Sequence, residues 1–139
     1  FFMDKYVIEI DPQPAPRPRL GKYGAYNTSK YTNHIENLSS LIKSLNIVKD
    51  DYDYIHAVFY FKYPKSTPKK HRIEGKPKRD KCDNDNLIKP LLDVLEKINV
   101  IENDRQFTDM FIQKKSTTKN VGRIEFYLQV PLSEKNYIK

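Results

Sequence analysis

Apolar and polar positions recur with two different periods along the chain, and together they predict six elements. Tyr6, Ile8 and Ile10 alternate with Val7 and Glu9, the period of a strand. Across Tyr31 to Ile47 the apolar residues fall instead at Ile35, Leu38, Leu41 or Ile42, and Leu45, the spacing of one helix face, with Asp50-Asp51 marking the turn beyond. Ala57, Phe59, Phe61 and Tyr63 alternate with Val58, Tyr60 and Lys62, a second strand that Pro64 ends. Leu87, Leu91, Val94 or Leu95, and Ile98 form the stripe of a second helix, whose opposite face carries Lys89, Asp93 and Glu96. Phe107 to Lys115 and Arg123 to Val130 read as two further strands, joined by Ser116 to Gly122 as a hairpin. The predicted order is β-α-β-α-β-β: an α/β (α+β) fold with a single mixed β-sheet and two main helices packed on it.

Prolines set the boundaries between these elements. Pro12-Gln13-Pro14-Ala15-Pro16-Arg17-Pro18-Arg19 cannot continue a strand, because proline lacks the ladder donor, so a stiff basic arm is expected there. Pro90 is tolerated only in a first turn or at a kink, which puts the start of the second helix near Asn86 or Leu87. Asp83 and Asp85 would then lie in an extended lead-in, where residues two apart point the same way and can face one cation.

At 139 residues the chain is long enough for one domain with a real core, expected over residues 3–139 because Phe1-Phe2 precede a natural start at Met3. Apolar stretches are far shorter than the ~20 residues needed to span a bilayer, so a soluble, intracellular protein is expected, without membrane partners. The single cysteine, Cys82, cannot form an intrachain disulfide, in keeping with a reducing compartment. A nucleophilic role for it would need a positioned base, which its neighbours do not supply.

Charge changes the picture once it is located. The net charge is +7; Lys62 to Lys81 holds nine Lys/Arg against Glu74 and Asp80, and the other residues balance at sixteen of each sign. The whole excess therefore lies in a segment without apolar periodicity that contains Pro64, Pro68, Gly75 and Pro77, a basic loop over 64–82. Such a run is commonly a solvated surface, but this one leads directly into an acidic cluster, where it would deliver phosphate-binding cations to a reaction centre. Arg17, Arg19, Lys69, Lys70, Arg72, Lys78 and Arg79 are the candidate DNA contacts. Tyr23, Tyr26 and Tyr31 beside the arm invite base stacking, with ordinary packing as the simpler account. His34, His56 and His71 show no ligand spacing.

The acidic cluster is Asp83-Asn84-Asp85-Asn86, with Asn103-Asp104 further on. Asp-Asn runs are also good turn and cap chemistry. A calcium-loop reading fails, because Ile88 and Val94 stand where a glycine and a bidentate acid are needed. An Asp-x-Asp pair with a third acid suits Mg²⁺, which takes a few carboxylates, retained waters and substrate phosphate oxygens. The third acid is expected to be Asp104, provided the chain folds back along a helix of roughly 18 Å at ~1.5 Å per residue. Metal-assisted chemistry on a polyanion, a nuclease, is the reading these features support.

Asp83-Asn84-Asp85-Asn86-Leu87-Ile88-Lys89, then Asp93, then Asn103-Asp104-Arg105-Gln106 closely resembles the signature of the RusA family of Holliday-junction resolvases. The proline-rich Pro14 to Arg19, Lys114 and the last strand also fall where that family would place them. The resemblance implies a homodimeric, Mg²⁺-dependent endodeoxyribonuclease, with Mn²⁺ as a substitute ion, that cuts four-way branched DNA by paired incision in recombination and repair, in the cytoplasm of a bacterium or a phage-infected cell. Carried onto this chain, the metal-binding carboxylates would be Asp83, Asp85 and Asp104, with Lys89 at the site holding the scissile phosphate. Where the family usually has two adjacent acids this chain has Asn103-Asp104, which leaves a non-catalytic junction-binding protein as the main alternative. A Mg²⁺ nuclease for other branched DNA or RNA is a second, and an Asp-x-Asp nucleotide-sugar transferase a third that would leave the basic loop unexplained.

Overall fold

The computed structural model describes residues 4–16, 29–79 and 82–131, together with the backbone of 19–21 and 24–26. A four-stranded sheet is built from β1 (Lys5–Ile8), β4 (Tyr54–Lys62), β5 (Asp109–Thr117) and β6 (Arg123–Gln129), in the order β1-β6-β4-β5. Helices α1 (Ser29–Lys43) and α2 (Asn84–Lys97) complete an α+β architecture with one mixed main sheet, as the periodicity predicts. Two three-residue strands, β2 (Arg19–Gly21) and β3 (Gly24–Tyr26), pair with each other outside the main sheet. Arg19 therefore belongs to a strand and not to the proline arm.

Both helices pack on one face of the sheet. Leu38 and Ile42 from α1 and Leu87, Leu91, Val94 and Leu95 from α2 meet Ile55, Ala57, Phe59 and Phe61 of β4 and Ile124, Phe126 and Leu128 of β6. Each apolar stripe fills that common core, which supplies the main driving force for the fold. Both helices give way to an asparagine in the left-handed region, Asn46 at φ 53° and Asn99 at φ 67°, a conformation that asparagine tolerates at helix ends.

The predicted hairpin between the last two strands does not form. β5 runs parallel to β4, β6 runs antiparallel to it, and the two flank β4 without pairing. The reason lies in β4, where Val58 and Tyr60 on one face are buried as well as Ile55, Ala57, Phe59 and Phe61 on the other. A strand buried on both faces suits the interior of a sheet and takes a neighbour on each edge. The link from β5 to β6 consequently passes the end of β4. A Cβ on Gly122 would stand 2.9 Å from the Pro12 side chain and closer still to the Tyr60 carbonyl, so only glycine fits this close approach.

The parallel β4–β5 pair requires a crossover, and that crossover consists of the basic loop and α2. The loop is well tied down. Its Tyr63 hydroxyl donates to the Ile73 carbonyl at 2.6 Å, and Arg72 donates to the carbonyls of Thr67, Pro64 and Lys65. Gly75 N–H to Ser116 O, Ser116 N–H to Lys76 O and Lys78 N–H to Lys114 O then cover part of the outer edge of β5, which would otherwise present unpaired backbone groups.

Helix α2 begins earlier than Pro90 suggests, at Asn84, with Asp83 as its N-cap residue and the proline inside it. Proline removes the N–H that would bond the carbonyl four residues back, and its ring crowds that carbonyl. Here the carbonyl is that of Asn86, and it accepts the Ala15 N–H at 2.8 Å. The proline-rich arm thus satisfies the acceptor that Pro90 leaves open and is docked beside the first turn of α2. Pro90→Ala restores a helical donor to Asn86 and should release the arm. We expect amide exchange at Ala15 to speed up about fivefold, for a bond worth about 1 kcal/mol, with no fall in Tm; unchanged protection by hydrogen-exchange NMR would refute this coupling.

Candidate nuclease site

Asp83 and Asp85 stand at the amino end of α2, both exposed. Because the helix starts at Asn84, they occupy the cap and the first turn, which corrects the expectation of a shared extended lead-in. Aspartate is a favoured N-cap because its carboxylate can accept from the first turn's free N–H groups. Asp83 makes no such bond, so capping does not account for its carboxylate. The backbone just ahead is fixed by Lys114, whose ammonium donates to the Cys82 carbonyl at 2.9 Å. Lys89 lies one helical turn beyond Asp85 and pairs with Asp93 at 3.5 Å, an exposed i,i+4 contact of a few tenths of a kcal/mol.

Asp104 does not return to this end. It opens a short 3-10 turn, Asp104–Gln106, and its N–H donates to Glu96 Oε1 at 3.2 Å. Glu96 follows Asp85 by eleven residues along a helix that rises ~1.5 Å per residue, so the two ends are about 16 Å apart. Among the described residues, no three His, Cys, Asp or Glu side chains are grouped to hold a metal ion. Within one chain, then, Asp104 is tied to the Glu96 side of α2 and Asp83 and Asp85 stand at its head. Two carboxylates at the start of α2 suit the partial shell of a hard divalent ion that retains water and takes substrate oxygens, while the third is carried elsewhere.

Asn103 has a structural explanation. Its Oδ1 accepts from the Arg105 N–H at 2.8 Å, and Gln106 Oε1 accepts from the N–H groups of Glu102 and Asn103, a capping box around the turn that presents Asp104. Gln106 also donates to the carbonyls of Asp50 and Tyr52, joining this turn to the segment before β4. An asparagine caps as well as an aspartate, so this position requires no acid to form the turn.

The candidate DNA contacts divide. Lys69, Lys70 and Arg79 are exposed and Lys78 is half-buried, all on the basic loop. Arg72 spends its guanidinium on three loop carbonyls and serves mainly to shape the loop. Arg17 and Tyr23 lie outside the described residues, and Arg19 and Tyr26 are described only as backbone, whereas Tyr31 is buried at the start of α1. None of the histidines joins the acids: His34 is buried, His71 lies on the loop, and His56 bonds Gln113 at 2.8 Å and stacks on Phe111 and Tyr127.

The sequence gives no direct sign of the clamp that joins the loop to β6. Glu74 accepts from the Thr118 N–H at 2.7 Å, from the hydroxyls of Thr117 and Thr118, and from Arg123 Nη2 at 3.0 Å. Arg123 also pairs with Glu125 at 2.7 Å and lies 3.6 Å from the centre of the Tyr60 ring. Desolvation works against the charge on Glu74, but the Thr118 N–H, the two threonine hydroxyls and Arg123 outweigh it and bring its pKa down to about 2.

The family model described as Endodeoxyribonuclease RusA matches residues 9–134, nearly the whole chain. The fold and the acidic motif at the head of α2 define a small nuclease of mixed α+β type. The chain belongs to the RusA endodeoxyribonuclease family and is an endonuclease, a hydrolase of DNA phosphodiester bonds, in a family that acts on Holliday junctions in recombination. No curated protein matches it. Among the described residues no helix is long and apolar enough to cross a membrane.

Two measurements follow from these contacts. Glu74 has a lowered native pKa, so it stabilises the fold fully above the ordinary carboxylate value near 4.5 and loses that contribution as pH falls through about 2. Glu74→Gln should cost on the order of 1 kcal/mol at pH 7, a figure discounted for its 42% exposed side chain, and should flatten the acid limb of Tm against pH; an unchanged limb would remove the clamp. Asn103→Ala should cost about 1 kcal/mol in denaturant unfolding, whereas Asn103→Asp should be close to neutral.

Proposed function

We propose that this endonuclease is a divalent-metal-dependent resolvase of four-way DNA junctions, active as a homodimer in which each site draws Asp83 and Asp85 from one copy and Asp104 from the other. The observation that carries this reading is the placement of exposed Asp83 and Asp85 at the head of α2, with Asp83 excused from capping, directly after the segment that holds the chain's whole cationic excess. The separation of Asp104 supports the dimer. In a two-fold assembly any contact of residue i with j is repeated as j with i. Two α2 helices set antiparallel would bring the Asp104 end of each to the Asp83 end of the other and create two equal sites, as paired incision requires.

Each residue then has a task that its chemistry suits. Asp83 and Asp85 offer hard anionic oxygens and, with Asp104, would hold Mg²⁺ or Mn²⁺. When bound, such an ion activates water and stabilises charge on the phosphate and the leaving oxygen. Lys89, one turn along the same helix, would hold a non-bridging oxygen of the scissile phosphate and neutralise the charge that develops there. Lys114 keeps the backbone ahead of Asp83 in place. Lys69, Lys70, Lys78 and Arg79, with Arg17 and Arg19, would bind flanking phosphates and add a salt-dependent share of the affinity. The family match favours cleavage over the alternative of a purely binding protein, and the capping role of Asn103 supplies a structural reason for an asparagine at that position.

A labelled synthetic four-way junction incubated with Mg²⁺ or EDTA, beside a linear duplex, tests the activity: paired, Mg²⁺-dependent nicks confined to the junction are expected. Asp83→Asn, Asp85→Asn and Asp104→Asn should each lower cleavage at least a hundredfold while junction affinity is kept. Lys89→Ala should lower the rate more than the affinity. A mixture of Asp85→Asn and Asp104→Asn proteins tests the shared site. Subunit exchange would leave one intact site per mixed dimer and restore single nicking, whereas a site built within one chain would leave the mixture dead.

A further inference from the structure

Away from the acids, a cleft of about 730 Å³ opens between the arm, the start of α1, the end of β4, the basic loop and the β5–β6 link. Its lining contains five lysines and one arginine against a single acid, Asp11. That acid is already occupied: Asp11 accepts the Gly122 N–H at 2.7 Å and pairs with Lys62 at 3.3 Å. Arg72 is likewise committed to loop carbonyls. What faces the opening is cationic, with exposed Lys30, Lys65 and Lys119 brought from three separate parts of the chain. Small-molecule pockets of this size are mostly apolar with a few polar groups, so this lining suits a polyanion instead. A second concavity of about 490 Å³ shares Tyr63 and Lys78 with the first and adds Lys76 and Arg79, which extends the basic surface across the loop.

We infer that this cleft is a phosphodiester-binding subsite for the strand being cut, with Lys30, Lys65 and Lys119 as its phosphate contacts. The inference rests on the nuclease reading above and adds Lys30, Lys65 and Lys119, three contacts outside the acidic motif that share the cleft with Arg72 and Lys78 of the loop. The arm fixes the distance to the cut. Gln13 lines the cleft, and Ala15, two residues on, bonds Asn86 next to Asp85. Two extended residues span at most about 7 Å. With one phosphate per ~3.4 Å of helix axis on each strand, that span corresponds to about two nucleotides, so the near edge of the cleft receives backbone about two nucleotides from the scissile bond. The hydroxyls of Thr117 and Thr118 at the rim are engaged with Glu74, so the clamp sets the cleft wall as well as the loop.

The test is Lys30→Glu/Lys119→Glu, read beside each single variant and Lys65→Glu. Lys49→Glu is the control, an exposed lysine beyond the far end of α1. Equilibrium binding to a synthetic four-way junction is measured across salt concentrations in Ca²⁺, and cleavage in Mg²⁺ at saturating enzyme. Each contact neutralising one phosphate contributes about 0.9 to the slope of log K against log salt. The double variant should therefore flatten the slope by about 1.8, weaken binding at low salt more than tenfold, and keep the saturated cleavage rate within about twofold. Phosphate-ethylation interference about two nucleotides from the cut should disappear with it. Slopes and interference equal to those of Lys49→Glu, in a wild-type background that binds and cuts, would overturn the cleft and leave the nuclease reading intact. A wild-type protein that neither binds nor cuts junctions would overturn that reading and the cleft with it. Circular dichroism and the single variants separate a folding defect from a lost contact.

Discussion

A single backbone hydrogen bond ties the two segments that surround the acidic motif. Pro90 cannot donate to Asn86, and the Ala15 N–H takes its place. Asn86 is exposed and open to water, and here the arm supplies the donor instead. The helix runs from Asn84 through Pro90, which sets Asp83 on its cap and Asp85 in its first turn. The same contact seats the arm as a wall of the basic cleft. Helix start, carboxylate placement and one wall of the cleft thus meet at this contact.

Around this contact the molecule separates rigid apolar packing from charge. The core lies on one face of the sheet, between β4 and the two helices. Catalytic candidates stand at helix ends and on the crossover between β4 and β5, outside that core. A crossover rich in lysine would be expected to be loose, yet Glu74, Tyr63, Arg72 and the backbone bonds to β5 hold it against the sheet. Cations held on a fixed frame lose less conformational freedom on meeting DNA than cations on a free chain. The anionic Glu74 inside a cationic loop is consistent with that service, since its neighbours lower its pKa to about 2.

Several features were legible in the chain because they depend on local chemistry. Strand and helix periods placed all four main strands and both helices within a few residues, and the acidic motif pointed to the family that the profile match then established. The failures have specific causes. Ser116 to Gly122 looks like a hairpin link because turn chemistry is local, whereas β5 and β6 are kept apart by the two-sided burial of β4. Asn103 looked like a lost acid because a capping box is recognised by its partner bonds as much as by its residue types. Lys30, Lys65 and Lys119 carry no common sequence signal, since they come from three separate segments.

Periodicity, the prolines, the charge count and the Asp-Asn motif were enough for the class of fold and the kind of chemistry, because each acts over one or two turns of chain. Strand order, the start of α2, the separation of Asp104 from Asp83 and Asp85, and the assembly of the cleft could not be read that way. They arise from contacts between residues tens of positions apart, where burial and the demand of each backbone group for a partner select one arrangement among those that local patterns allow.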